Sequence, residues 1–220
     1  MLKITRMNIF NKILPEAKKF FLDARGSHNF EHTERVMKLC MHIGKKEKAD
    51  LKILKIAAVL HDIGRKFEDE SKGKICHAKK SAELARKILK KYNFPQSKIE
   101  KVAHCIEAHR FRNEITPQTL EAKVLFDADK LDSIGAIGIG RAFFFANEVG
   151  AKLHESLNET EILKTKPYTK DDTAYREFVV KLRHIKGKML TREGKRLAKE
   201  RHKFMVEFFE RLEKETSGEQ

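Results

Sequence analysis

The chain has 220 residues, with 47 Lys plus Arg against 32 Asp plus Glu for a net charge of +15, 40% hydrophobic residues, no Trp, and Phe as its main large ring. That length supports one sizeable core and is short for two ordinary domains, and no apolar run approaches the roughly 20 residues a membrane helix needs. The opening "MLKITRMNIFNKILPEAKKFF" has charges among its apolar positions and lacks the uninterrupted core and small-residue cleavage site of a signal peptide, so one cytoplasmic domain without membrane association is expected.

The predicted elements are helical throughout, because apolar spacing of three and four recurs and no segment alternates long enough for a sheet. A first helix is expected over "LPEAKKFFLDAR", stopping at Gly26. A second, opened by Ser27 or Asn29, covers "FEHTERVMKLCMHIGKKEK" with Val36, Leu39, Cys40 and Ile43 on one face. A third begins at Asp50, a good N-cap, carries Leu51, Leu54, Ala57, Ala58 and His61, and ends at Gly64. The fourth, "HAKKSAELARKILKKYN", has its stripe at Ala78, Ala82, Ala85 and Leu89. Pro95 and a Ser97-x-x-Glu100 capping box start a fifth, "KIEKVAHCIEAHR". After a turn at "NEITP", one long helical segment is expected over "QTLEAKVLFDADKLDSIGAIGIGRAFFFANEV". Its "GAIGIG" lacks the order and preceding strand of a dinucleotide fingerprint and reads as close helix packing. A polar stretch from about Lys152 to Thr173 reads as a loop or lid, shaping a pocket mouth or a dimer contact, and two amphipathic helices over about 174 to 215 close the chain. The expected fold class is all-α, a single-domain bundle of seven to nine helices.

Three cysteines, Cys40, Cys76 and Cys105, are odd in number and lack CxxC spacing, which indicates neither a disulfide framework nor a zinc ribbon. The positive charge favours polyanionic partners, whether nucleotides, nucleic acid or acidic surfaces; lysine-rich solvated helix faces would give the same balance. The chemistry lies in the histidines and aspartates placed on apolar faces, where lone polar groups are costly unless satisfied. His32 lies one turn before Val36 on the buried stripe of the second helix. His61 continues the Leu54/Ala58 stripe, with Asp62 about 100° round. Asp129 follows Leu125 by one turn and precedes Asp132. Two imidazoles and two carboxylates from three helices can converge, a mixed N/O set that suits a divalent metal with open positions better than a closed structural zinc. Satisfied core histidines and buried salt bridges are the plain alternative.

The pattern His32, then His61-Asp62, then Asp129 resembles the HD superfamily of metal-dependent phosphohydrolases. "SHNFEHTERV", "AAVLHDIGRKF", "HAKKSAELARKIL" and "LFDADKLDSIGAIGIGRAF" resemble its successive motifs over about residues 27 to 145, and "REGKRLAKERHKFMVEFFERL" is similar to the ending of small stand-alone bacterial and archaeal members. The resemblance implies His32, His61, Asp62 and Asp129 as metal ligands, with Asp62 able to bridge to a second ion. Asp129 is preferred to Asp127 and Asp132 because the family ligand starts a "DxxD" pair. Some members add two histidines before the last aspartate. Of His77, His104 and His109, helical phase puts His109 within about 70° of the buried stripe of the fifth helix and His104 about 150° away. His77 and His109 are therefore the second-site pair, or else substrate contacts.

The implied activity is metal-dependent hydrolysis of a nucleotide or other small phosphate ester or anhydride, with metal-bound hydroxide attacking phosphorus and Asp62, or a water it holds, managing the proton. One or two divalent ions (Mn, Mg, Fe, Co, Ni or Zn) are implied. His28 is expected to contact phosphate or donate a proton, and Arg65, Lys66, Lys130 and Arg141 to offset phosphate charge. The stand-alone chain resembles nucleotide pyrophosphohydrolases that cleave nucleoside triphosphates. A phosphodiesterase, a 5′-nucleotidase, a di-iron HD-type oxygenase and a non-catalytic module binding nucleotides or nucleic acid remain as alternatives, and a homodimer is compatible with all of them.

Overall fold

The computed structural model describes residues 9–22, 29–110, 115–155 and 157–219. Among them every regular element is helical: α1 (Ile9–Lys18, continued by a 3-10 turn at Lys19–Phe21), α2 (Phe30–Glu47), α3 (Leu51–Leu60), α4 (Arg65–Glu70), α5 (His77–Lys91), α6 (Gln96–Glu107), α7 (Leu120–Leu131), α8 (Gly135–Glu148), α9 (Glu159–Ile162), α10 (Ala174–Val180) and α11 (Arg192–Ser217), with a second 3-10 segment at Leu182–Lys188. No helix among the described residues is long and apolar enough to cross a membrane. The chain divides into two compact units, Met1–Ala128 and Asp129–Gln220, the boundary falling inside α7.

The first unit is built around α3. Its sequence "LKILKIAAVL" is apolar nearly all round, and Ile53, Leu54, Ile56, Ala57, Ala58, Val59 and Leu60 are all buried, the pattern of a helix enclosed by others. Against it pack α1, α2 and α6, with α5 on α6. Each fully buried Leu or Ile contributes about 1.5–3 kcal/mol, so truncation of Leu54 to Ala would cost about 2–5 kcal/mol. Local signals fix the ends. Asp50 caps α3 by accepting from the Lys52 and Ile53 N–H groups at 2.9 and 3.1 Å, Asn29 caps α2 by accepting from His32 N–H, and Lys48 closes α2 in the left-handed region at φ 61°.

The second unit packs α8, α10 and α11 around an aromatic cluster, with Phe178 and Phe209 stacked at 4.6 Å between centroids. Before α10 the polar stretch is pinned rather than loose. Buried Arg176 donates to Asp172 Oδ1 at 2.7 Å, Thr165 Oγ1 at 2.6 Å and the Thr165 carbonyl at 3.0 Å, while Asp172 Oδ2 accepts the Tyr168 N–H at 2.7 Å. A charge pair this buried is tolerable because nearly every polar atom has a partner. The same stretch contains the one-turn α9, opened by an Asn158/Glu161 capping box.

Several sequence expectations are corrected. The first helix is already present at Ile9, the first described residue, with Phe10 and Ile13 buried ahead of Pro15; the expected stop at Gly26 lies outside the described residues. The Ser97/Glu100 capping box does not form. The helix starts one residue after Pro95, and the Gln96 amide takes Glu100 at 2.7 Å instead. The expected long helix breaks after Leu131 and resumes at Gly135, whose φ of 78° requires glycine at the corner. Its position against the Arg201 side chain and that of Gly138 against Ser133 agree with close packing.

Candidate active site

At the C-terminal end of α3 the chain leaves the helix through His61, Asp62, Ile63 and Gly64, all buried. His61 Nδ1 donates to the Ala58 carbonyl three residues back at 2.7 Å, which fixes the tautomer and leaves the Nε2 lone pair facing inward. His109, just past α6, repeats the arrangement with Nδ1 donating to the Ile106 carbonyl at 2.5 Å. His77 opens α5 and gives its Nδ1 hydrogen to Glu68 of α4. All three present Nε2 to one carboxylate, that of Asp62. Asp62 Oδ1 lies 3.4 Å from His77 Nε2 and 3.7 Å from His109 Nε2, and Oδ2 lies 3.8 Å from the Nε2 atoms of both His61 and His32.

The imidazoles also oppose one another, His61 Nε2 to His32 Nε2 at 3.3 Å and His77 Nε2 to His109 Nε2 at 3.2 Å. In the His77–His109 pair both Nδ1 hydrogens are already engaged, so the two Nε2 lone pairs stand face to face inside the protein. A cation removes that repulsion. The Asp62, His77 and His109 ligand atoms all fall within 4.8 Å of one another, and the donor set is nitrogen and oxygen without thiolate, which suits a divalent transition metal. The hydrogen bonds from Nδ1 to Ala58, Ile106 and Glu68 are the outer contacts that orient histidine ligands in metal sites.

Electrostatics agree with that reading. Burial alone would raise the Asp62 pKa, but Arg65 and the surrounding histidines outweigh it and hold the carboxyl well below 3.8. Arg65 Nη2 lies 3.4 and 3.3 Å from the two Asp62 oxygens and 3.2 Å from His77 Nε2. Burial lowers the His77 pKa to about 4, with Arg65 and His109 adding to the effect against Asp62 and Glu68, so its imidazole is neutral near pH 7. Gly64 sets the approach of the α3 exit to α5. Its N–H donates to Ser81 Oγ at 2.8 Å, and a Cβ at this position would stand 2.6 Å from the His77 carbonyl oxygen.

Of the residues singled out in the sequence, His32, His61, Asp62, Arg65, His77 and His109 come together in the first unit. His104 instead accepts the Gln118 N–H at 3.0 Å. Lys66 is exposed, its ammonium 3.9 Å from Glu70. His28 lies outside the described residues. In the second unit, Lys130 Nζ is 2.7 Å from Asp129 Oδ2, and Arg141 donates to buried Asp132 at 2.8 Å. Sequence reasoning missed Glu68, which Arg110 also holds at 2.8 Å. The available signal was its position three residues after Arg65, on the same side of a short helix.

Comparison with known proteins places these features in a family context. The family described as HD domain matches residues 29–134. The chain is 36% identical to YpgQ of Bacillus subtilis over 201 residues, covering 89% of this chain and 88% of that protein. The crystal structure of Bacillus subtilis YpgQ in complex with ADP superimposes with a TM-score of 0.71 at 29% identity, covering 94% of both chains. A predicted HD superfamily hydrolase from an uncultured Thermotogales bacterium gives 0.63 at 30% identity, covering 94% of this chain and 90% of its own.

Proposed function

The chain belongs to the HD domain family, and from that premise we propose that it is a metal-dependent phosphohydrolase acting on a nucleotide, with hydrolysis of a nucleoside triphosphate to the monophosphate and pyrophosphate as the specific reaction. The observation that carries the reading is the convergence of four imidazole Nε2 atoms within 3.8 Å of one buried carboxylate, Asp62. ADP in the YpgQ complex supports a nucleotide as the phosphate compound.

His32, His61 and Asp62 would hold one divalent ion, with Asp129 as the fourth ligand that the family pattern implies; His77 and His109 with Asp62 would hold a second. An ion of the Mn, Mg, Fe, Co, Ni or Zn group would supply a Lewis acid that polarises a phosphoryl oxygen and acidifies water.

The chain's own residues do the rest. Asp62, kept ionised by Arg65, accepts a hydrogen bond from the attacking water and orients it. Arg65 has a side chain about one-fifth exposed, so it joins the buried carboxylate to the surface and offsets phosphate charge. Glu68 keeps the Nδ1 hydrogen on His77, and burial keeps that imidazole neutral, so Nε2 can act only as an acceptor or ligand. The test is a screen of nucleotides and phosphomonoesters with Mn, Mg, Co and Fe, read separately as phosphate and pyrophosphate release. Pyrophosphate from nucleoside triphosphates is the expected product. Oxygen consumption by a two-iron form without phosphate release would overturn the proposal.

A further inference from the structure

The net charge of +15 is not absorbed by a buried site of this size. Several surface cations are matched locally: Lys80 and Lys87 by Glu83, Arg86 by Glu100 and Glu107, Arg196 by Glu193 and Glu200, Lys203 by Glu207. The lysines on the exposed face of α2 are not so matched, and they stand together. From Arg35 to Lys46 the helix contains no acidic residue, while Lys38, His42, Lys45 and Lys46 recur at intervals of about one turn and therefore share a face. Lys38, Lys45 and Lys46 form no ion pair among the described residues.

Between this row and α3 lies a groove of about 500 Å³, with Met37 and Met41 as its apolar floor and Lys55 on its far side. Lys55 is set in place by the Phe10 ring, 4.0 Å below its ammonium. Like charges one turn apart on a helix cost a few tenths of a kcal/mol per pair. The helix dipole offsets that cost for Lys45 and Lys46 in the last turn, but not for Lys38 or Lys55. Lysines kept without an ion-pair partner, as Lys38, Lys45 and Lys46 are among the described residues, are complementary to an external polyanion.

We infer that the α2–α3 groove is a docking site for single-stranded nucleic acid, with the lysines on successive phosphates and a base against Met37 and Met41. The cations run from Lys38 to Lys46, about 12 Å of helix at 1.5 Å per residue, which fits a linear polyanion better than a single small anion. The apolar floor is recessed between charged rims, and the strongly apolar side of α2 (Val36, Cys40, Ile43) is turned into the core. That geometry receives a base and offers no protruding apolar face to a bilayer. The assignment is independent of the buried cluster and of any turnover.

The test is fluorescence anisotropy of a labelled twelve-nucleotide single strand against the full chain in chelating buffer. Log affinity should fall with log salt at a slope of about −3, for about four phosphates neutralised. The triple variant Lys38→Gln, Lys45→Gln, Lys46→Gln should bind at least about tenfold more weakly, with a slope shallower by about 2. Removing equal charge from α11, by Arg196→Gln, Lys199→Gln and Lys203→Gln, should leave affinity within about twofold. Equal losses in the two triple variants, a salt-independent affinity or no binding would overturn the assignment. So would tighter binding to phosphatidylglycerol vesicles that the α2 variant abolishes.

Discussion

His77 and His109, 32 residues apart in the chain, face each other Nε2 to Nε2 at 3.2 Å. The other nitrogen of each is occupied, by the Glu68 carboxylate in one case and the Ile106 carbonyl in the other. Two rings so arranged inside a protein would be satisfied by a cation between them, with Asp62 Oδ1 3.4 and 3.7 Å from the two Nε2 atoms.

Glu68 is thus a positioning residue, acting through His77. In Glu68→Gln the side-chain shape is kept and the charge that fixes the His77 tautomer is lost, so metal affinity should fall about 10–100-fold while helix content is unchanged. A titration of Mn or Zn against a competing chelator checks this; equal affinity in both proteins would remove Glu68 from the site.

The neutral state of His77 has a consequence for stability. An unfolded histidine takes its proton near 6.5, whereas burial lowers the folded pKa to about 4. Between those values the unfolded chain binds a proton that the folded chain does not. Stability in chelating buffer therefore falls as pH drops through this window, by up to about 3 kcal/mol. Asp62 acts in the same direction but at lower pH. With its folded pKa below 3.8, its contribution is present above that pH and lost only at lower pH. Urea midpoints from pH 7 to 4.5 should decline in the natural sequence and flatten in His77→Gln; parallel declines would contradict this.

Gly64 is held by backbone on two sides. A Cβ there would lie 2.6 Å from the His77 carbonyl oxygen and 2.7 Å from the Ser81 nitrogen, neither of which can swing aside. Gly64→Ala should cost about 1–3 kcal/mol and weaken metal binding together with stability, because α5 must move away from the α3 exit. Denaturant unfolding and metal titration of the same variant check both effects.

The cysteines should separate by accessibility. Cys40 and Cys105 are buried and Cys76 is half-buried; burial, with Glu121 nearby, pushes the Cys105 thiol up to about 12. Iodoacetamide at pH 8 should modify Cys76 alone in the folded protein, as read by mass spectrometry. Modification of Cys105 at a comparable rate would mean that the α6 core opens.

Much of this was legible in the sequence, and the exceptions have physical causes. The all-α class followed from helical spacing, the start of α3 from Asp50, that of α2 from one of two candidate caps, Ser27 or Asn29, and the burial of His109 from helical phase. The break between α7 and α8 was hidden because Gly135 sits in an otherwise helix-compatible run, and its positive φ is a demand of the corner rather than of composition. Glu68 was hidden because α4 has six residues, too few for periodicity, and because its partners His77 and Arg110 are tertiary neighbours. The missing Ser97 cap shows the limit of motif reading: the residues were present, but the helix had already begun at Gln96.

On the proposed function, the cluster around Asp62 holds the metal on which hydrolysis depends. Its most direct test is metal content per chain by elemental analysis, in the natural protein and in Asp62→Ala, paired with phosphate and pyrophosphate release from nucleoside triphosphates. Bound metal and product release are expected in the first protein, and the loss of both in the second. Full turnover by Asp62→Ala would contradict it.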